Sequence, residues 1–244
     1  MNDTIKILLN HMSIRKYKDT PVDSETVDTI IRCAQTAPTS SNFQAYTIIE
    51  VRDVEKRKTL AEIGGGQRWV NEAPLVLLFC ADLNRGKKYY ENTDKQIFSN
   101  TECFTVATID TALAVQKAFI AAQSLGLGGV VVGGIRNDVK SVAKLFKLPD
   151  MVAPLCLLCL GWPNETPGLK PRLPLDEIHK VDFYDDGKQG ELIEEYNAVM
   201  QEYYKNRAGS KKYPRWTEHS GEQLMEKPRY NVGEFFREIG LLKE

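Results

Sequence analysis

Apolar residues return at helical spacing in two stretches before residue 40: Ile5, Leu8 and Leu9 within residues 4–11, and Val27, Ile30, Ile31 and Ala34 within residues 24–37. Asp23 and Ser24 supply the start signal of the second. Residues 45–51 (AYTIIEV) and 74–81 (PLVLLFCA) are short β-rich or apolar runs bounded by breakers, and they predict strands. A charged helix over 54–63 lies between them, stopped by Gly64-Gly65-Gly66. The longest apolar helical segment covers 104–125. There Val106, Ile109, Ala112, Leu113, Val115, Ala118, Phe119 and Ala122 leave little polar circumference, so the helix is expected to be buried on most sides. After Gly126 come a strand at 130–132, a short helix at 138–146 and a fully buried strand at 152–160. This order of elements predicts an α+β fold.

From Pro163 the texture changes. Pro163, Pro167, Gly168, Pro171 and Pro174 mark an extended connector, and the helices expected at 192–204, 218–225 and 231–239 are too polar to build a core of their own. They must pack on the first part of the chain or on another subunit. The expected organisation is one domain over 1–244, with a core of about 1–162 and a connector with a helical excursion at about 163–244.

Composition narrows the function. The 244 residues are 42% hydrophobic, enough for a real core, and 32 Lys plus Arg against 33 Asp plus Glu leave a net charge of −1. Such a chain has no overall field for a polyanion, so nucleic acid is not an expected partner. The five cysteines are an odd number in a chain too large to need covalent staples, which points to reduced thiols. Residues 2–7 carry no apolar signal core, and no apolar run approaches the ~18 residues of a membrane span. A soluble cytoplasmic protein without a membrane partner is expected. There is no Walker loop, HExxH or GxSxG, and only three histidines are present, so the chemistry must need few protein acids or bases and no metal. Cys156 and Cys159 match C-x-x-C as text, but within a strand residues three apart face opposite ways, which disfavours a redox pair.

Three polar constellations remain. His11, Ser13, Arg15 and Lys16 place a hydroxyl and three potential cations at the exit of the first helix. Lys170-Pro171-Arg172 holds two cations on a stiff proline, and residues 38–44 (PTSSNFQ) offer hydroxyls and amides after a helix. The glycines around 126–134 come in the order helix, glycines, strand, the reverse of a Rossmann fingerprint. Gly133 and Gly134 instead suggest either a plain turn or backbone that approaches a flat ligand. Each feature alone has an ordinary explanation as capping, loop or turn.

Together these segments resemble the nitroreductase-like flavoprotein family, and within it the branch of NADPH-dependent flavin reductases and oxygen-insensitive nitroreductases. The resemblance runs in order through His11-x-Ser13-Ile14-Arg15, Thr39-Ser40-Ser41, Gly65-Gly66-Gln67, Phe79-Cys80-Ala81-Asp82, Gly133-Gly134-Ile135-Arg136-Asn137, Gly161-Trp162-Pro163 and Lys170-Pro171-Arg172-Leu173-Pro174, covering essentially the whole chain. It implies a central mixed, mainly antiparallel sheet surrounded by helices, in an obligate homodimer with FMN at the subunit interface. By the family pattern the flavin and its phosphate would be held by His11, Met12, Ser13, Ile14, Arg15, Lys170, Pro171 and Arg172. Gln67 and backbone at Val131, Val132, Gly133 and Gly134 would lie along the ring, and Thr39, Ser40 and Ser41 would reach in from the partner. The helix at 104–125 would be the dimer spine. Two positions depart from the branch: Met12 stands where arginine is usual, and Val131 where an aromatic residue is common.

The implied activity is transfer of electrons from NADPH, in ping-pong order, to small-molecule acceptors such as nitroaromatics, quinones or free flavin, with no catalytic side chain because the flavin carries the chemistry. Alternatives are a non-catalytic flavin carrier or sensor, or another reaction on the same flavoprotein fold. Five cations and no acid occupy residues 205–215. By the same resemblance Arg207, with Lys211 and Lys212, would meet the NADPH 2′-phosphate.

Overall fold

Helices cover both faces of an antiparallel sheet, and the pattern of side chains along its strands explains why. The computed structural model describes residues 1–207 and 212–243, and the chain divides into two units, Met1–Pro167 with Arg229–Glu244, and Gly168–Pro228. In the first unit the order is α1 (Asp3–Leu9), α2 (Ser24–Gln35), β1 (Tyr46–Glu50), α3 (Val54–Ile63), α4 (Trp69–Glu72), β2 (Leu75–Asp82), α5 (Asn84–Tyr89), α6 (Thr101–Ser124), β3 (Gly128–Val132), α7 (Val139–Leu145) and β4 (Val152–Gly161). The second unit holds α8 (Leu175–Ile178), α9 (Gln189–Asn206) and α10 (Trp216–Glu226), and α11 (Asn231–Glu238) belongs again to the first.

The sheet order is β1-β2-β4-β3 and all three pairings are antiparallel. Leu75, Leu77, Phe79, Leu158 and Leu160 face a core shared with α2 and α6, whereas Val76, Leu78, Cys80, Leu157 and Cys159 face one shared with α3, α4 and α7. β2 and β4 are buried on both faces, which is why each reads as a continuous apolar run. The register slips between Phe79 and Cys80, and this bulge accommodates Pro154 in an inner strand. Cys156 and Cys159 pack in different cores, as their spacing in a strand requires. A third cluster at one end of the sheet joins Phe98, Ala107, Met151, Phe235, Phe236 and Leu241, so α11 docks through its two phenylalanines.

Cap residues set several helix starts: the side chains of Asn2, Asp23, Asp53 and Asn100 accept from backbone amides of the first turns of α1, α2, α3 and α6. Two expectations for α6 are corrected. Its 24 residues are long and apolar enough to cross a membrane by length and composition. Nor is it buried on most sides. Ala114, Ala118 and Ala122 are fully buried against the sheet, but Ile109 is 53% and Leu113 39% exposed on the opposite face. Ile5, Leu8 and Leu9 of α1, which contacts α6, are exposed as well.

Candidate functional site

The segment leaving α1 is built into the edge of the sheet. Ser13 forms a parallel bridge with Gly129, and the Ile14 amide donates to the Gly129 carbonyl at 2.8 Å. Only glycine at 128 allows this approach, because a Cβ there would stand 2.5 Å from Ile14 Cγ1. The Glu165 carboxylate then accepts from the Arg15 amide at 2.6 Å and the Lys16 amide at 3.1 Å. The Asn164 amide donates back to the Lys16 carbonyl at 3.0 Å. Residues 13–16 are thus zipped between β3 and the chain that follows β4. The Tyr17 hydroxyl donates to the Ile14 carbonyl at 2.9 Å, and burial raises its phenol well above the ordinary value, so it serves as a fixed donor rather than an acid.

Side chains complete the corner. The Arg15 guanidinium lies over the Trp69 ring at 5.4 Å and has no carboxylate partner among the described residues, since Glu165 is engaged by backbone. The indole Nε1 of Trp69 is buried without a hydrogen-bond partner among the described residues. His11 meets Phe119 edge-on at 5.1 Å and lies 3.4 Å from the Gln123 amide nitrogen, anchoring it to the last turns of α6. Met12 and Ile14 line a cleft of about 300 Å³ with Gln123, Gly128, Pro163 and Glu165.

β3 is an outer strand. Val130 and Val132 are buried, Val131 is 44% exposed on the other face, and Gly133 and Gly134 follow. A Cβ at Gly134 would stand 2.7 Å from Gln67 Nε2 and 2.8 Å from the Gly64 carbonyl oxygen. The end of β3 therefore abuts the turn carrying Gln67, whose Nε2 donates to the Gly64 carbonyl at 2.7 Å. One at Gly133 would meet the Arg136 guanidinium at 2.9 Å. The close approach at these two glycines is made by protein groups of the neighbouring turn and of Arg136. His11, Met12, Ser13, Ile14, Arg15, Gln67 and residues 131–134 are brought together in the first unit.

Thr39, Ser40 and Ser41 are not. Their loop rests on Asp110 of α6, nine residues before Phe119 (119 − 110). At 1.5 Å per residue that is about 14 Å along the helix from the place where His11 is anchored.

Comparison with known proteins decides what this arrangement is. The model of the nitroreductase family matches residues 8–162, and that of the nitroreductase family C-terminal domain matches residues 170–244. The chain belongs to the nitroreductase family. An FMN reductase (NADPH) of Bacillus subtilis is 38% identical over 250 residues, with 100% of both chains covered. An oxygen-insensitive NADPH nitroreductase of Salmonella typhimurium is 37% identical over 240 residues, covering 98% of each. The solved structure of NfrA1 nitroreductase from B. subtilis superposes with a TM-score of 0.95 at 36% identity, covering 99% of this chain and 100% of that one. The nitroreductase fold, an antiparallel sheet wrapped by helices, is that of the first unit.

The other residues singled out from the sequence lie in the second unit. The Tyr196 hydroxyl donates to the Pro171 carbonyl at 2.9 Å, and Lys170 Nζ lies over the Tyr204 ring at 5.8 Å, so α9 meets the Lys170-Pro171-Arg172 segment at two points. Tyr196 is buried, which raises its phenol, while Arg172 acts in the opposite direction. Arg207, just past α9, and Lys212 are exposed, and Lys211 lies outside the described residues. Sequence reasoning missed Glu165, Trp69, Asp110 and Tyr196. Asp110 alone had a local signal, an acid inside the most apolar helix of the chain; nothing local ties Glu165 to a segment 149 or 150 residues earlier.

Proposed function

We propose that the chain is an FMN-containing, NADPH-dependent oxidoreductase, working as a homodimer and delivering electrons to nitroaromatics, quinones or free flavin in ping-pong order. The residues of the site fit such a group. An unpaired guanidinium, a side-chain amide and an exposed valine border a strand whose outer edge beyond Gly129 is unpaired among the described residues. That is the donor set and shape for a flat heterocycle with a polar rim and a phosphate tail. This meeting of groups from distant parts of the sequence carries the proposal, together with relatives matched over their whole length and named as NADPH-dependent FMN reductase and nitroreductase.

FMN, when bound, supplies hydride acceptance and donation, and the protein's tasks are binding, orientation and electrostatics. Arg15 would supply positive charge to offset the negative charge of a reduced flavin, and Glu165 fixes the backbone that carries it. Ser13 and His11 offer a hydroxyl and a ring nitrogen from the same segment. Lys170 and Arg172 are proposed as further phosphate ligands from their place in the family motif, with Tyr196 fixing the segment that carries them. Thr39, Ser40 and Ser41, whose loop rests on Asp110 rather than beside His11, are proposed to act on the partner's flavin. Donor and acceptor use one slot in turn, which gives the ping-pong order.

The Arg15→Ala variant tests the reading. It should keep its fold, because the guanidinium makes no hydrogen bond to any of the described residues, but bind FMN at least about tenfold more weakly, about 1.4 kcal/mol. Fluorescence quenching of added FMN reads this directly, and unchanged affinity would remove Arg15 from the site.

A further inference from the structure

Asp110 is an acid with 1% of its surface exposed, on the helix whose other buried neighbours are mostly alanines. It forms no ion pair among the described residues. Instead, Oδ1 accepts from the Ser40 amide and Oδ2 from the Ala45 amide, each at 3.1 Å. These two bonds grip both ends of a loop in which Ser41, Asn42 and Gln44 all adopt left-handed backbone, with φ of 47°, 57° and 51°. Three such non-glycine residues in four positions form a strained conformation that a free loop would abandon. The adjacent Ile109 belongs to the uncovered face of α6.

We propose that Asp110 is a positioning residue for flavin binding: it clamps the hydroxyl loop at residues 39–41 in the shape that this loop presents to the partner subunit's FMN. The inference rests on the reading above, in which that loop acts across a dimer. It adds that the helix forming the dimer face is also the support for the loop, so site assembly and subunit pairing share one element. A buried carboxylate suits this role because both oxygens accept, whereas an amide of the same size turns one acceptor into a donor facing an N–H.

The test uses the full chain with Asp110→Asn, with Ser40→Pro beside Ser40→Ala, and with Ser41→Ala. Proline at 40 removes the amide donor at the first position of a 3₁₀ turn, after the extended Thr39 (φ −135°, ψ 150°), a conformation that tolerates a following proline. Alanine removes only the hydroxyl. FMN affinity and dimer mass are measured on each, with hydrogen exchange at Ala45 and, wherever residue 40 keeps its amide, at position 40. Asp110→Asn should speed exchange of both amides and weaken FMN by about tenfold or more while remaining dimeric, and Ser40→Pro should weaken FMN beyond Ser40→Ala. FMN affinity unchanged in Asp110→Asn despite faster exchange, with Ser41→Ala weakening FMN, would overturn the positioning role alone. If no loop variant alters FMN affinity, the cross-subunit reading fails and takes this inference with it. If Asp110→Asn does not fold, the comparison of Ser40→Pro with Ser40→Ala decides by the same criterion.

Discussion

Arg207 and the cysteines show how single residues carry separable consequences. Arg207 is exposed and sits at the end of α9 with no ion pair of its own among the described residues, so its removal should leave the fold intact. Arg207→Ala is expected to raise KM for NADPH about tenfold with little change for NADH, because only the former carries the 2′-phosphate that a guanidinium binds in charge-assisted fashion. Equal changes for both donors in steady-state assays would remove that role. The cysteines give a pH prediction. Burial pushes Cys156 up to about 11 and Cys159 up to about 12 from the ordinary 9.0, and moves Cys80 in the same direction. The folded state therefore keeps these thiols protonated where the unfolded chain would release the proton. Their contribution is fully present below pH 9 and is lost as pH rises from there towards the raised values. Denaturant midpoints should be level from pH 7 to about 8.5 and fall above it; a midpoint that rises through this window would contradict the burial of the three thiols.

At the scale of elements, glycines govern how the pieces meet. Gly129 pairs with Leu160 in the sheet, and a Cβ there would lie 2.2 Å from the Cys159 carbonyl oxygen, on backbone that cannot yield without moving β4. Gly129→Ala should cost about 3 kcal/mol. Gly126, with φ +87° just past the C-terminus of α6, faces open contact at 3.6 Å from Trp162, so Gly126→Ala should cost only about 1–2 kcal/mol, from its left-handed backbone. Urea denaturation distinguishes the two, and the reverse ranking would argue against this account of the β3 entry. The strands and long helices were legible in the sequence because each buries a periodic or continuous apolar run: β2 is shifted by one residue from its predicted limits, and β4 starts as predicted and ends one residue later. Helices of four to six residues such as α4 and α5 escaped, since one turn cannot display a period. Of the site, the motif residues were readable by type, but the clamps were not. Glu165 and Asp110 act on backbone amides, which leave no trace in the sequence of the loop they hold.

For the molecule as a whole, the feature that calls for an explanation is the apolar surface left bare on α1 and α6. Ile5, Leu8, Leu9, Ile109 and Leu113 are all exposed in the single chain. A patch of this kind on two contacting helices is what a second copy would cover. Leu113→Glu should shift the protein towards monomer in analytical ultracentrifugation and reduce FMN binding in parallel, since the loop at residues 39–41 is proposed to serve the partner. A monomer that binds FMN with full affinity would separate the two and place the flavin within one chain. The central claim is tested most directly by the visible spectrum of the purified protein, titrated with NADPH in the absence of oxygen. The account predicts a flavin absorption band that bleaches with about one equivalent of NADPH per bound flavin and returns when a quinone or nitroaromatic is added. A colourless protein that takes up no FMN, or a flavin band indifferent to NADPH, would contradict it.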